Sequence, residues 1–126
     1  MAYVGIVLIS HSSKIAEGAK ELIRQVIKDV PIETAGGTED LEIGTSIEKI
    51  NAAIEQANQG NGVLLFYDLG SAKMNAEMAI EMTDLKAIKL VEAPIVEGAY
   101  VAAVEAGMGK NLEDVYDSVI QAFEHK

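Results

Sequence analysis

The run Tyr3-Val-Gly-Ile-Val-Leu-Ile9, followed at once by Ser10-His11-Ser12-Ser13, decides how this chain is read. It is apolar, nearly continuous and rich in β-branched side chains, but too short to cross a membrane. Such a run suits a strand covered on both faces, as strands of parallel sheets are. The polar residues that follow put a histidine at the carboxyl end of that strand. No basic leader precedes the run, so it is not read as a signal peptide, and the cytoplasm is the expected compartment.

Three further runs extend the pattern: Pro31-Ile-Glu-Thr-Ala35, Gly62-Val-Leu-Leu-Phe-Tyr67 and Ala87-Ile-Lys-Leu-Val91. Helical periodicities lie between them. Ile15, Ala19, Leu22, Val26 and Ile27 predict the buried face of a first helix, with Lys20, Arg24 and Lys28 projecting elsewhere. Ile47, Ile50, Ile54 and Ala57 predict the second, opened by Thr45-Ser-Ile-Glu48 as a capping box. The third runs from Ser71 to Met82. Its Met74, Met78 and Met82, spaced four apart, read as core or interface filling rather than a cofactor site. Pro94 opens a fourth helical segment, and Asn111-Leu-Glu-Asp114 starts a last one towards Phe123. Strands alternating with helices predict an α/β fold: an open, mainly parallel sheet of about four strands with helices on both faces. One domain over residues 1–126 is expected, with right-handed crossovers.

Composition removes whole classes of function. Ten Lys+Arg against 20 Asp+Glu give a net charge of -10, which disfavours nucleic acid as the main partner. The absence of cysteine excludes a disulfide scaffold, a thiolate nucleophile and cysteine-bound metal. Arg24 is the only arginine, and His11 and His125 are the only histidines. Neither a metal site nor a bound cofactor is expected. Residues 1–28 carry four bases and two acids, whereas the remainder carries six bases and eighteen acids. The acidic part reads as a solvated face, or as a field complementary to a basic partner.

In open parallel sheets, ligands gather beyond the carboxyl ends of the strands. His11 stands at one such end, beside the N-terminus of the next helix, where free N–H groups and the helix dipole favour an anion. A neutral imidazole there is a competent nucleophile towards phosphorus. The plainer alternative is a half-buried histidine bonded to a carbonyl. Asp68 ends the third strand, and if strands one and three are neighbours it shares a crevice with His11. A carboxylate bonded to one ring nitrogen fixes the tautomer and frees the other. Gly70 and Ser71 open the following helix and offer backbone approach, a hydroxyl and a terminal N–H to a phosphate. Ser12 offers the same, and each serine has the alternative of an ordinary helix cap. His125 reads as a tail residue.

Ser10-His11-Ser12-Ser13 after a strand, Tyr67-Asp-Leu-Gly-Ser-Ala72, and Ala93-Pro-Ile-Val-Glu-Gly98 together resemble the mannose-type enzyme IIA domains of the bacterial phosphotransferase system. Ile43-Gly44-Thr45 and the Pro94–Gly98 segment favour the branch that serves phosphoenolpyruvate-dependent dihydroxyacetone kinase over one that serves sugar transport. The resemblance implies that His11 is phosphorylated by the histidine phosphocarrier HPr. It implies that the group then passes to ADP on the nucleotide-binding subunit of the kinase. Asp68 would orient His11, and Ser71 would sit near the phosphoryl oxygens. It also implies a homodimer, with the donor proteins encoded separately.

Two other classes compete. A receiver module phosphorylated on Asp68 needs acidic residues after the first strand to hold magnesium, where this chain has Ser10 and His11. A flavodoxin-like electron carrier needs aromatic rings around a flavin, and only Tyr67 and Tyr100 are placed to supply them.

Overall fold

A computed structural model of the chain describes residues 2–124. The elements follow in the order β1 (Gly5–Ser10), α1 (Ser13–Arg24), β2 (Ile32–Gly36), α2 (Ile47–Ala57), β3 (Val63–Tyr67), α3 (Gly70–Met82), β4 (Ile88–Val91), α4 (Ile95–Gly107) and α5 (Leu112–Ala122). The four strands form one sheet in the order β2-β1-β3-β4, and every pairing is parallel. This is the expected α/β architecture.

β1 is buried along its whole length because it lies inside the sheet with helices on both faces. Its side chains alternate between two cores. Ile6 and Leu8 join Leu64 and Phe66 under α1, α4 and α5, whereas Val7 and Ile9 join Val63 and Leu65 under α2 and α3. Gly5 has no room for a side chain: a Cβ there would lie 2.1 Å from the Ala57 carbonyl oxygen, so α2 ends directly against β1.

Three local expectations are corrected. On α1 the buried residues are Ala16, Ala19 and Ile23, while Ile15, Leu22 and Val26 are exposed by half or more. On α3 the buried residues are Ala72, Ala76 and Ala79, and Met74, Met78 and Met82 face outward, so the methionines fill no core. The cause is the same in both. An alanine face lets a helix approach the sheet closely, and the longer side chains are left on the outer side. The cap of α2 is Ser46, which accepts from the Lys49 N–H, and the Thr45 hydroxyl accepts from Asn75 instead.

Among the described residues no helix is long and apolar enough to cross a membrane.

Candidate functional site

The register of β1 on β3 builds the site. Ile9 pairs with Tyr67, so the chain leaves the two strands together, through Ser10 and His11 on one side and Asp68 on the other. Residues 57 apart in sequence thereby meet at the carboxyl edge of the sheet. His11 Nδ1 lies 3.0 Å from Asp68 Oδ1, and His11 Nε2 lies 2.7 Å from Ser71 Oγ. A carboxylate only accepts, so Nδ1 carries a proton; in the neutral ring Nε2 then keeps its lone pair and can accept from the Ser71 hydroxyl. The imidazole is held at both nitrogens, yet the site remains open at its outer side, where Ser71 is exposed.

Asp68 accepts four hydrogen bonds. Oδ1 takes His11 Nδ1–H and, at 2.7 Å, the Leu69 N–H; Oδ2 takes the Ser10 hydroxyl at 2.7 Å and the His11 N–H at 3.0 Å. Burial is the largest single influence on this carboxyl and pushes it up. The bonds from His11, Ser10 and Leu69 together outweigh burial and hold it below its ordinary value. Asp68 is therefore a firmly ionised partner for an imidazole N–H.

Helix ends complete the surroundings. Side chains cap α1, α2 and α5 through Ser12, Ser46 and Asn111, whereas no side chain caps α3, which starts beside His11, or α4. The first turn of α3 thus presents backbone N–H groups beside Nε2. A Cβ at Gly70 would meet nothing within 4 Å, so the approach to that turn is clear. Ser12 stands differently: its hydroxyl accepts from the Ile15 N–H at 3.3 Å and makes no bond to His11. The structure therefore groups His11, Asp68 and Ser71 by direct contact, sets Gly70 beside them, and gives the Ser12 hydroxyl to the helix. His125 lies outside the described residues.

Two supports escaped the sequence reading. Ser10, with no exposed surface, bonds Asp68 directly. The loop after β2 holds the histidine's own backbone, since Gly44 N–H donates to the His11 carbonyl at 2.8 Å. Lys49 ties the base of that loop to α2 through the Gly36 carbonyl at 2.5 Å. Ser10 was readable as the last residue of a buried strand, where a polar side chain needs a partner. The loop contacts had no signal in the sequence. Arg24 is committed elsewhere, donating to the carbonyls of Ile27, Lys28 and Val30 after the end of α1. Among the described residues, no group of three or more His, Asp or Glu side chains is placed to hold a metal ion.

Residues 5–116 match the family described as PTS system fructose IIA component, EIIA-man. The chain belongs to that family. This EIIA-man protein is 49% identical over 109 residues to a Listeria innocua protein described as PEP-dependent dihydroxyacetone kinase 1, phosphoryl donor subunit DhaM, covering 86% of each chain. It is 43% identical over 115 residues to the Lactococcus lactis PTS-dependent dihydroxyacetone kinase, phosphotransferase subunit DhaM, covering 91% of this chain and 92% of the other. Among solved structures it is similar to a protein of unknown function at 36% identity and a TM-score of 0.86, covering 100% of this chain and 98% of that one.

Proposed function

We propose that this EIIA-man protein is a cytoplasmic, homodimeric phosphoryl carrier that takes its group from HPr onto His11 Nε2. It passes the group to ADP held on the nucleotide-binding subunit of dihydroxyacetone kinase. One observation carries the reading: Nδ1 is engaged by an ionised carboxylate while Nε2 points at a hydroxyl and an uncapped helix N-terminus. The similarity to two DhaM subunits supports the choice of acceptor.

The chemistry is an exchange at phosphorus. The Nε2 lone pair attacks the phosphoryl group on the HPr imidazole. A new N–P bond forms on His11 as the old one breaks, and its electron pair stays with the HPr ring. Asp68 keeps the Nδ1 proton in place and offsets positive charge on the ring. Ser71 turns its hydroxyl from Nε2 to a phosphoryl oxygen, and the first N–H groups of α3, with Gly70 leaving them accessible, meet the other oxygens. Ser12 contributes by holding the first turn of α1 behind His11. In the second half-reaction a β-phosphate oxygen of ADP attacks, the Nε2–P bond breaks with its electron pair staying on the His11 ring, and ATP is formed on the kinase subunit. Such transfer depends on positioning and charge more than on covalent work by the protein.

The test is incubation with phosphoenolpyruvate, enzyme I and HPr, followed by intact mass and then addition of the ADP-loaded kinase subunit. The expected result is a gain of one phosphoryl group, absent in His11→Ala, retained in His125→Ala, and lost on adding the subunit. Label that survives in His11→Ala, or that is alkali-labile on Asp68, overturns the site. Discharge only to a sugar-transport component overturns the acceptor and assigns the chain to the sugar branch. A sedimentation mass of one chain overturns the homodimer.

A further inference from the structure

Ser10 takes no direct part in the exchange above, yet it is the buried polar side chain closest to it. It is the last residue of β1 and has no exposed surface. Its hydroxyl donates to Asp68 Oδ2 at 2.7 Å and accepts from the Ser12 N–H at 3.0 Å. A continuous chain of bonds therefore runs from the N-cap amide of α1, through the Ser10 hydroxyl, to the carboxylate that holds the imidazole.

We propose that Ser10 is a positioning residue that sets the proton affinity of His11 through Asp68, and with it the lifetime of the phosphorylated imidazole. A hydrogen bond to a carboxylate spreads its charge and lowers its basicity, and a donor that is itself polarised by an amide does so more strongly. Without that bond, Asp68 Oδ2 loses its shortest donor and the carboxylate holds a protonated ring more tightly. Protonation makes the ring a better leaving group, because it departs neutral. By weakening the carboxylate's hold on the Nδ1 proton, Ser10 thus limits how much of the loaded ring stays protonated, and with it how fast the group is lost.

Among the described residues, no other charged group competes for this role. Lys49 of α2 is bonded to the Gly36 and Thr38 carbonyls, and Lys73 of α3 is paired with Glu92. Tyr67 of β3 also reaches Glu92. Glu39 and Glu48 both accept from the Ser46 hydroxyl, and Lys14 of α1 is exposed. None of these makes a hydrogen bond or an ion pair with the His11 or Asp68 side chain.

The proton-affinity half of the proposal stands on the free protein, whereas the lifetime half rests on His11 being the phosphorylated residue. The experiment is an NMR titration of the His11 ring in the full chain, for wild type, Ser10→Ala, Ser10→Thr and Ser10→Cys. The phosphorylated forms are then followed for loss of phosphate against pH. In Ser10→Ala the titration midpoint should rise by about one unit. The pH profile of dephosphorylation should move with it, shortening the lifetime above the midpoint by about tenfold. Ser10→Thr, which keeps the hydroxyl, should restore both. A folded Ser10→Ala protein with the wild-type midpoint overturns the proposal, because a merely structural role would leave the midpoint unmoved. If Ser10→Ala does not fold, Ser10→Cys decides: it has nearly the same shape and a much weaker donor, and a wild-type midpoint there overturns the proposal equally. Failure of wild type to accept phosphate at all would remove the carrier reading and leave the titration to judge Ser10 alone.

Discussion

His11 Nδ1 and Asp68 Oδ1 lie 3.0 Å apart, and the same carboxylate also accepts the backbone N–H of His11. Asp68 therefore grips both the ring and the chain of the residue it orients, so the imidazole's angle to the sheet edge is fixed as well as its tautomer.

Asp68→Asn tests that grip. The amide can present a donor where the carboxylate only accepts, and the preference for a proton on Nδ1 is lost. Phosphoryl uptake from HPr is expected to fall by about 10²–10³-fold while the fold is retained. Uptake within threefold of wild type would sink the orienting role.

Ser71→Ala removes one hydroxyl from the outer side of the ring, where no buried group is left unpaired. The expected loss in uptake rate is about tenfold, the size of one modest hydrogen bond. Quench-flow phosphorylation measures it, and a loss as large as that of Asp68→Asn would contradict the division of labour between the two nitrogens.

Acid stability should depend on Asp68. Its carboxyl is held below its ordinary value in the folded chain, so it contributes stability above the unfolded pKa of about 3.9. That contribution is lost as the pH falls through the folded value. Denaturation curves collected from about pH 6 down to pH 2 should therefore steepen at the acid end for wild type and flatten for Asp68→Asn. Parallel curves would show that the four hydrogen bonds add nothing to stability.

Gly36→Ala should damage the fold and the site together. A Cβ at Gly36 would lie 2.7 Å from the Ser13 Cα and 2.9 Å from the Ser12 carbonyl oxygen, both backbone atoms that cannot swing aside. The start of α1 has to shift, carrying the neighbour of His11 with it. A loss of about 1–3 kcal/mol is expected on urea unfolding, accompanied by slower phosphorylation of the folded fraction. By contrast, Arg24→Ala strips a donor from three carbonyls remote from His11. It should cost about 1–3 kcal/mol and leave the phosphorylation rate of the folded protein unchanged.

The strands and the strand-end histidine were legible because long apolar runs and abrupt polar stops survive in any single sequence. Asp68 was legible for the same reason, once the neighbouring of strands one and three was assumed. The packed faces of α1 and α3 were not. Hydropathy weights Leu22 and Met78 above Ala16 and Ala76, while the fold rewards the small residues that let a helix lie close to the sheet. Ser10 could be read as a polar residue closing a buried strand, but not its partner, Asp68, which lies 58 residues away.

Register carries one more consequence. The pairing of Ile9 with Tyr67 lets Ser10 and Asp68 follow as close partners, and a slip of one residue would turn each strand's side chains to the opposite face. Nothing local to either strand can assemble the pair, so no fragment or misaligned intermediate owns a usable imidazole. Under the carrier reading, chains with a mispaired sheet would stay uncharged, and the fraction of a preparation that takes up phosphate would count its correctly registered molecules.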